Sequence, residues 1–307
     1  MARVRVHLDT DIGGDADDLC ALAMLLGSPE VDLVSLTTVI EQDGRRAAMA
    51  RAALALGGRP DVEVTAGPPT LLDGAAHGFG LQDSRYWTDV PIKAAAHGHD
   101  AADVLAASIT SGTRVVAIGP LTNLARAEQR HPGVLRAADI VVMGGSVQAP
   151  GERLPLWGPG MNFNFEADPP AARLVFAACD PLIVPLHVCM PVAVRAQHLE
   201  RLRNGGPLSR LVAHQCQLHG EDNQMASLAA EFPGLPPGIL NFQWDPVACG
   251  AALGWPGIEV QEQPMALVPG DGGMVFASRP GDPLRRVVTA VDADAFNERW
   301  LACTERV

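Results

Sequence analysis

The sequence is short of positive charge. It has 23 Lys and Arg residues against 35 Asp and Glu residues, which gives a formal net charge of −12. Proteins that bind nucleic acid do so chiefly by neutralising phosphates with Lys and Arg, so this deficit argues against nucleic acid as a partner. A neutral or cationic small molecule is the better candidate ligand.

Long apolar runs are also missing. No stretch approaches the length of a membrane-spanning helix, and the chain reaches Asp9 and Asp11 before any apolar run long enough for a signal peptide. The six cysteines are scattered, contain no C-x-x-C pair and have mostly apolar neighbours, which is typical of buried thiols in a reducing compartment. The sequence therefore predicts a soluble cytoplasmic protein with no membrane partner.

Nothing in the sequence divides the chain. It has 307 residues, of which 48% are hydrophobic, and it contains no Ser/Pro/Gly-rich linker, internal repeat or low-complexity tract. A chain of this length and composition can bury a full core. We therefore expect one domain over residues 1–307.

Strand and helix patterns alternate from the amino terminus onward. Val4, Val6 and Leu8 recur at the period of a strand, and an apolar helical repeat follows over residues 17–26. Further strands are predicted at 31–40, 62–66, 114–118, 140–143 and 182–188, with helices at 45–56 and 101–109. This alternation predicts an α/β fold with an open, mostly parallel, doubly wound (Rossmann-like) sheet and helices on both faces.

The turn after the first strand is rich in acids. Around Gly13 and Gly14 it holds five carboxylates, at Asp9, Asp11, Asp15, Asp17 and Asp18. Such a turn opens at the carboxyl edge of the sheet, where these folds bind ligands, and its charges repel each other unless a positive group lies among them. Oxygen donors without Cys or His indicate calcium or magnesium rather than zinc. The simpler alternative is a solvent-exposed loop in which Asp17 or Asp18 interacts with the positive end of the helix dipole.

The string D-T-D-I-G-G-D-A-D-D at residues 9–18 closely resembles the amino-terminal aspartate signature of the calcium-dependent nucleoside N-ribohydrolases, the nucleoside hydrolase family. In that family the turn holds Ca²⁺ at the floor of a ribose pocket. The resemblance implies that Asp11 is both a metal ligand and the catalytic general base. It also implies that Asp18 is a second metal ligand and that Asp17 binds ribose hydroxyls.

Further motifs later in the chain follow in the order that this family has. The resemblance implies that Ile118, before Gly119-Pro120, gives its main-chain carbonyl to the metal, and that Asp245 is the distal calcium ligand. It places Met143, in a Met-Gly-Gly string, beside the ribose, and Asn164, in Asn-x-x-x-Asp-Pro, on the sugar. Helix initiation alone also explains part of these strings, because Asp168 and Asp245 are both good N-cap residues.

Two positions depart from the family pattern. Asn162 stands where well-known members carry a Glu that contacts the 5′ end of the ribose, and Trp244 stands where many carry a His. Trp244 resembles the purine-specific branch, in which an indole stacks on the base. In the long connection 67–95, the resemblance places His77 and Trp87 near the pocket, while the simpler alternative is that they cover the sheet edge.

The function that the resemblance implies is hydrolysis of the N-glycosidic bond of a ribonucleoside, a purine or a modified nucleoside, by a calcium-activated water. The family is commonly dimeric or tetrameric, so a homodimer or homotetramer is expected. One alternative is a nucleoside- or sugar-binding protein on the same scaffold. Another is a haloacid-dehalogenase-like phosphohydrolase with Asp9 as phosphoryl acceptor, which fits Asp9-Thr10-Asp11 alone. His214 and His219 lie five residues apart, do not share a helix face, and are expected to be ordinary helix residues.

Overall fold

The computed structural model describes residues 3–92, 99–156, 161–270 and 273–307. In these ranges the strands are β1 Val4–Thr10, β2 Val31–Thr38, β3 Glu63–Thr65, β4 Arg114–Ala117, β5 Ile140–Met143, β6 Leu182–Val184, β7 Ala193–Arg195, β8 Ile239–Phe242, β9 Ile258–Pro264, β10 Ala266–Gly270, β11 Gly273–Ala277 and β12 Leu284–Val291. The α-helices are α1 Asp17–Gly27, α2 Arg45–Leu56, α3 Ala101–Thr110, α4 Thr122–Arg130, α5 Phe163–Glu166, α6 Pro169–Ala178, α7 Leu186–Cys189, α8 Leu199–Asn204, α9 Pro207–Asp222, α10 Met225–Glu231, α11 Trp244–Ala252 and α12 Ala293–Thr304. Short 3₁₀ turns lie at Ser84–Trp87, Val134–Ala137 and Ala196–His198.

The central sheet, as far as the described ranges show it, has eight strands in the order β3-β2-β1-β4-β5-β6-β12-β9. Every neighbouring pair is parallel except β12 and β9, which are antiparallel at the edge. The chain order reverses between β1 and β4, and doubly wound sheets bind ligands at the carboxyl side of such a switch point. The predicted mostly parallel, doubly wound fold is confirmed.

Helices bury both faces of the sheet. Val116 and Val141 belong to the apolar cluster that α1, α9, α11 and α12 cover, whereas Val115 and Val142 belong to the cluster that α3, α4 and α6 cover. Strands that are buried on both faces are apolar throughout rather than alternating, and β4 and β5 have this composition.

A polar network replaces apolar packing on one face of β1. His7 is fully buried, its Nδ1 lies 2.7 Å from the Ser35 hydroxyl, and its Nε2 lies 2.9 Å from the Thr37 hydroxyl. Thr37 in turn donates to Asp9 at 2.6 Å. Burial lowers the pKa of His7 to about 3, so the ring is neutral. The network therefore carries a buried hydrogen-bond chain through the sheet to the acidic turn.

Two expected elements differ from the structure. The apolar run 182–188 is not one strand: β6 ends at Val184, and α7 begins at Leu186. Pro185 separates them because it has no N–H to donate to a neighbouring strand, and its φ of −80° suits the residue before a helix. Asp245 is not an N-cap, since α11 begins at Trp244 and places Asp245 in its first turn. Asp168 is the N-cap of α6, as the sequence predicts. In the described ranges, no helix has both the length and the apolar character needed to cross a bilayer.

Candidate active site

A cavity of about 520 Å³ opens at the carboxyl edge of the sheet, at the switch point between β1 and β4. The turn after β1, the ends of β4 and β5, and helices α5, α9 and α11 supply its walls. The described residues that line it are Asp11, Gly14, Asp15, Asp17, Asp18, Arg46, Phe79, Gly80, Gln82, Tyr86, Ile118, Met143, Gly144, Met161, Asn162, Phe163, Asn164, Leu186, His219, Asn223, Trp244 and Asp245. Its volume is within the range of small-molecule sites.

Three buried carboxylates converge at this cavity. Asp17 and Asp18 begin α1, Asp245 lies in the first turn of α11, and one oxygen from each lies within 4.8 Å of the others. Burial and mutual repulsion raise the pKa of all three well above the usual range. A donor set made only of carboxylate oxygens fits a hard divalent cation, whose charge would relieve this repulsion.

Asp11 lies beside these three acids but is not one of the group whose oxygens are closest. Burial raises the pKa of Asp11 to about 6, although the nearby Arg46 guanidinium opposes that rise. Arg46 is buried and donates to the main-chain oxygens of Asp11 and Ile12, which fixes the turn. At Gly119, just after β4, a Cβ would lie 2.8 Å from an Asp11 carboxylate oxygen, so glycine there permits the close approach.

The two asparagines bind the protein backbone around the cavity. Asn164 donates from Nδ2 to the carbonyls of Ile118, at 2.9 Å, and Met143, at 3.1 Å, which ties together the ends of β4 and β5. Asn162 accepts from the Gly145 N–H at 2.8 Å and donates to the Met274 carbonyl at 3.0 Å. Both polar ends of the Asn162 side chain therefore already have partners, and its local effect is to shape the wall.

Aromatic residues form much of the wall. Trp244 lines the cavity and stacks on Phe242, with ring centroids 4.5 Å apart and planes 29° apart. Phe79, Tyr86 and Phe163 also line it.

His77 and Trp87, expected near the substrate, are not among the described lining residues. His77 approaches the Glu41 carbonyl with Nε2 and stacks on Phe79, and Trp87 donates to Gln82 at 3.2 Å. Phe79 and Gln82 do line the cavity, so His77 and Trp87 support the wall from behind. Direct contact between these two residues and a substrate stays a prediction.

His219, which the sequence predicts to be an ordinary helix residue, lies in the cavity wall. Its Nε2 lies 2.7 Å from Asp15 Oδ1, and Asp15 lines the same cavity. The helix pattern contained the signal, because Leu208, Val212 and Cys216 are buried and precede His219 at helical spacing. His214, which is off this face, is exposed.

Comparison with known proteins agrees with this geometry. A family model described as inosine-uridine preferring nucleoside hydrolase matches residues 6–298. The pyrimidine-specific ribonucleoside hydrolase RihA of Salmonella paratyphi C is 29% identical over 222 residues, which are 68% of each protein.

Solved structures show the same fold at low sequence identity. A purine-preferring ribonucleoside hydrolase from Gardnerella vaginalis has a TM-score of 0.81 and 21% identity, with 98% of each chain covered. An inosine-uridine preferring nucleoside hydrolase from Bacillus anthracis has a TM-score of 0.72 and 19% identity, with 99% of this chain and 100% of the other covered. Since the family model covers nearly the whole chain, the protein belongs to the nucleoside hydrolase family and is a ribonucleoside N-glycosyl hydrolase, as the motifs predict.

Proposed function

We propose that this protein hydrolyses purine ribonucleosides, standard or modified, to ribose and free base with a bound Ca²⁺. The observation that carries the proposal is the convergence of Asp17, Asp18 and Asp245 in one cavity with Asp11 beside them. A cation would relieve the repulsion among this many buried carboxylates, and the family is one that binds a metal ion.

The proposed metal ligands are Asp11, Asp18, Asp245 and the main-chain carbonyl of Ile118. All four residues line the cavity, and flexible coordination by several oxygens suits calcium better than the strict octahedron of magnesium. When bound, the ion would lower the pKa of a water molecule and orient it towards C1′. Asp17 belongs to the same cluster, and we assign it to hydrogen bonds from the ribose 2′ and 3′ hydroxyls.

Asp11 is the proposed general base. It lines the cavity, and the Arg46 bond to its main-chain oxygen fixes its backbone. Cleavage of a ribosyl C1′–N bond passes through a transition state in which positive charge develops on the sugar. Carboxylates beneath the ring stabilise that charge more than they stabilise the neutral substrate, which is the condition for catalysis.

Trp244 is the basis for proposing a purine base. Its ring lies on the cavity wall, and stacking on Phe242 limits its orientation. In the transition state positive charge develops on the purine ring. The attraction of an indole face for this ring is worth about 1 to 2 kcal/mol. Met143 ends β5, and Asn164 in α5 donates to the carbonyls of Met143 and Ile118; we assign both residues to the ribose.

The test is a panel of free ribonucleosides and deoxyribonucleosides, with release of base and of reducing sugar measured in parallel. We expect purine ribonucleosides to react fastest, deoxyribonucleosides to react poorly, and a calcium chelator to abolish turnover until Ca²⁺ is restored. Binding of nucleosides without release of base would contradict the proposal and favour a binding protein on this scaffold. Release of inorganic phosphate from phosphate esters would favour the phosphohydrolase alternative.

We further propose that the protein is cytoplasmic and forms a homodimer or homotetramer. None of its six cysteines is in a disulfide and five of them are buried, which fits a reducing compartment. Light scattering coupled to gel filtration tests the assembly. A monomer at micromolar concentration would contradict that part of the proposal.

A further inference from the structure

Asp15 is the cavity acid that the proposed hydrolysis does not use. Among the described residues five carboxylates line the cavity, and four of them, at Asp11, Asp17, Asp18 and Asp245, are buried. The Asp15 side chain is 47% exposed, and its carboxylate is outside the group whose oxygens lie within 4.8 Å of one another. Asp15 is therefore accessible to a ligand in the cavity and has no role yet.

His219 fixes the Asp15 carboxylate. His219 Nε2 lies 2.7 Å from Asp15 Oδ1, and His219 Nδ1 lies 2.8 Å from the Leu240 carbonyl. A carboxylate and a carbonyl can only accept hydrogen bonds, so both ring nitrogens donate and the ring is an imidazolium. Burial opposes this charge, but the bond and the attraction to Asp15 raise the pKa of His219 to about 9. Both N–H groups are used within the protein, so His219 acts on a ligand only by positioning Asp15.

In the described part of the chain, the protein bonds one oxygen of the Asp15 carboxylate and leaves the other open. The Ala16 N–H also donates to Oδ1, at 3.1 Å, so Oδ1 accepts two hydrogen bonds while no described group bonds Oδ2. The single hydroxyl proton of Tyr86, which lines the same cavity, goes to Asp222 at 3.1 Å. Two donors on Oδ1 orient the carboxylate, and Oδ2 is left as an acceptor in a defined position.

Strand β8 links this pair to the wall on which we place the base. The Leu240 carbonyl that accepts from His219 lies two residues before Phe242, and the Phe242 ring stacks on Trp244. Trp244 is the proposed stacking surface for the base, whereas the groups assigned to the ribose lie at the start of α1, at the end of β5 and in α5. We therefore assign Asp15 Oδ2 to the edge of the base.

A carboxylate oxygen at the edge of the base selects for a hydrogen-bond donor. The unsubstituted ring nitrogens of a purine are acceptors whose lone pairs repel a carboxylate, whereas an exocyclic amino group presents N–H bonds. A hydrogen bond to a charged acceptor is also stronger than one between neutral groups. A purine that carries an amino group is therefore bound better at Asp15 than the same purine without it.

We propose that Asp15 is a specificity-determining residue that selects purine ribonucleosides whose base carries an exocyclic amino group, and that His219 is its positioning residue. The inference rests on the proposed function and adds the feature of the base that the cavity recognises. Stacking on Trp244 does not distinguish one purine from another, because every purine has an aromatic face. Asp15 distinguishes purines by the groups at their edges.

Three nucleosides with the same purine ring and the same ribose test this selection. Nebularine has no amino group on its base, adenosine has one at C6, and 2-aminopurine riboside has one at C2. We expect Asp15→Ala to lower kcat/KM for at least one of the two amino nucleosides by about 10- to 150-fold and to change kcat/KM for nebularine by less than about threefold. A sugar hydroxyl on Oδ2 would instead lower all three values equally, because the ribose is the same.

Asp61→Ala is the matched control, because it makes the same truncation at an exposed residue outside the cavity. It should leave all three values unchanged. Retained turnover of nebularine shows that Asp15→Ala is folded. His219→Gln should reduce the same selectivity by a smaller factor, because the carboxylate stays but loses the imidazolium that fixes it. This second variant tests the selection without a change in the acidic turn.

The outcomes separate the inference from the proposed function. Equal losses on all three nucleosides in folded variants, or no loss on either amino nucleoside, would overturn the selection by Asp15 and leave the proposed hydrolysis intact. If the wild-type protein released no base from any of the nucleosides, the proposed function itself would fail.

Discussion

Asp11 and its neighbours show how a few residues define this site. Arg46 fixes Asp11 by donating a hydrogen bond to its main-chain carbonyl. Gly119 packs against the Asp11 carboxylate and leaves room for it, because glycine has no side chain. The acids of the turn could be found in the sequence because they lie close together, between Asp9 and Asp18. Arg46 could not, because nothing in a helix-forming Ala- and Arg-rich segment shows which arginine turns inward.

Replacing Asp11 with Asn tests the general base. The amide keeps the size of the side chain but cannot accept a proton at neutral pH, so kcat should fall by about 10²- to 10⁴-fold. Release of base is the measurement, and an unchanged circular dichroism spectrum shows that the fold is retained. Asp61→Asn, at an exposed residue, is the control and should retain full activity. Wild-type turnover in Asp11→Asn would remove Asp11 from the mechanism.

Replacing Trp244 tests its proposed stacking on the base. Trp244→Ala removes the ring, so kcat/KM for purine ribonucleosides should fall by about 5- to 30-fold, the equivalent of about 1 to 2 kcal/mol. Trp244→Phe keeps a weaker aromatic face and should fall less. Competition between a purine and a pyrimidine ribonucleoside measures the selectivity. If Trp244→Ala left turnover of purine ribonucleosides untouched, the stacking role would be wrong.

At the scale of helices and strands, the sequence predicted individual elements better than it predicted the contacts between them. The predicted helix 45–56 and strand 140–143 have the observed bounds, because each is a continuous periodic or apolar run with turn residues at its end. The prediction of a single strand over 182–188 was wrong, because an apolar composition alone does not distinguish a strand from a short helix after Pro185. His219 was missed although its helical spacing with Val212 placed it on the buried face.

Two helix caps differ in whether they also bond other segments of the chain, and this difference can be tested by its effect on stability. Asp292 caps α12 through one bond, to the Ala295 N–H at 3.1 Å. Asp168 caps α6 and also accepts from the Leu72 N–H at 2.8 Å and the Thr122 hydroxyl at 2.7 Å, so it joins α6 to a loop and to α4.

Asp292→Ala should therefore lower the free energy of unfolding by about 1 kcal/mol, the usual cost of a lost cap. Asp168→Ala should lower it by about 2 to 4 kcal/mol, because it also leaves the buried Thr122 hydroxyl and the half-buried Leu72 N–H without this partner. Urea unfolding of both variants is the measurement. Equal losses in the two variants would mean that the added bonds to Leu72 and Thr122 are not stabilising.

At the scale of the whole molecule, the site is built from segments that are far apart in sequence. Asp18 and Asp245 meet because the strand order puts β1 and β4 side by side and packs α1 and α11 on the same face. Composition and periodicity predicted the sheet and one acidic turn, but not this meeting, which depends on strand order. The resemblance supplied the pairing, and the single-domain expectation for residues 1–307 stays a prediction.

The acids also couple the stability of the metal-free protein to pH. Burial raises the pKa of Asp11 to about 6 and that of Asp9 to about 7, from a usual value of 3.8. Between these values the folded protein holds protons that the unfolded chain has released, so the free energy of unfolding falls as pH rises through this window. For Asp11 alone the fall is on the order of 3 kcal/mol.

Thermal unfolding with and without Ca²⁺ tests this coupling. In a chelator the unfolding midpoint should fall as pH rises from about 5 to about 7.5, because the acids ionise without a partner. Near neutral pH, Ca²⁺ at about a hundred times its Kd should stabilise the protein by about 2.7 kcal/mol, because it binds only the folded state. Asp245→Asn should weaken this stabilisation and flatten the pH dependence, since one repelling carboxylate is gone. A midpoint that rises with pH in chelator would contradict the raised pKa values of these acids. A wild-type midpoint that does not change when Ca²⁺ is added would contradict a cation site there.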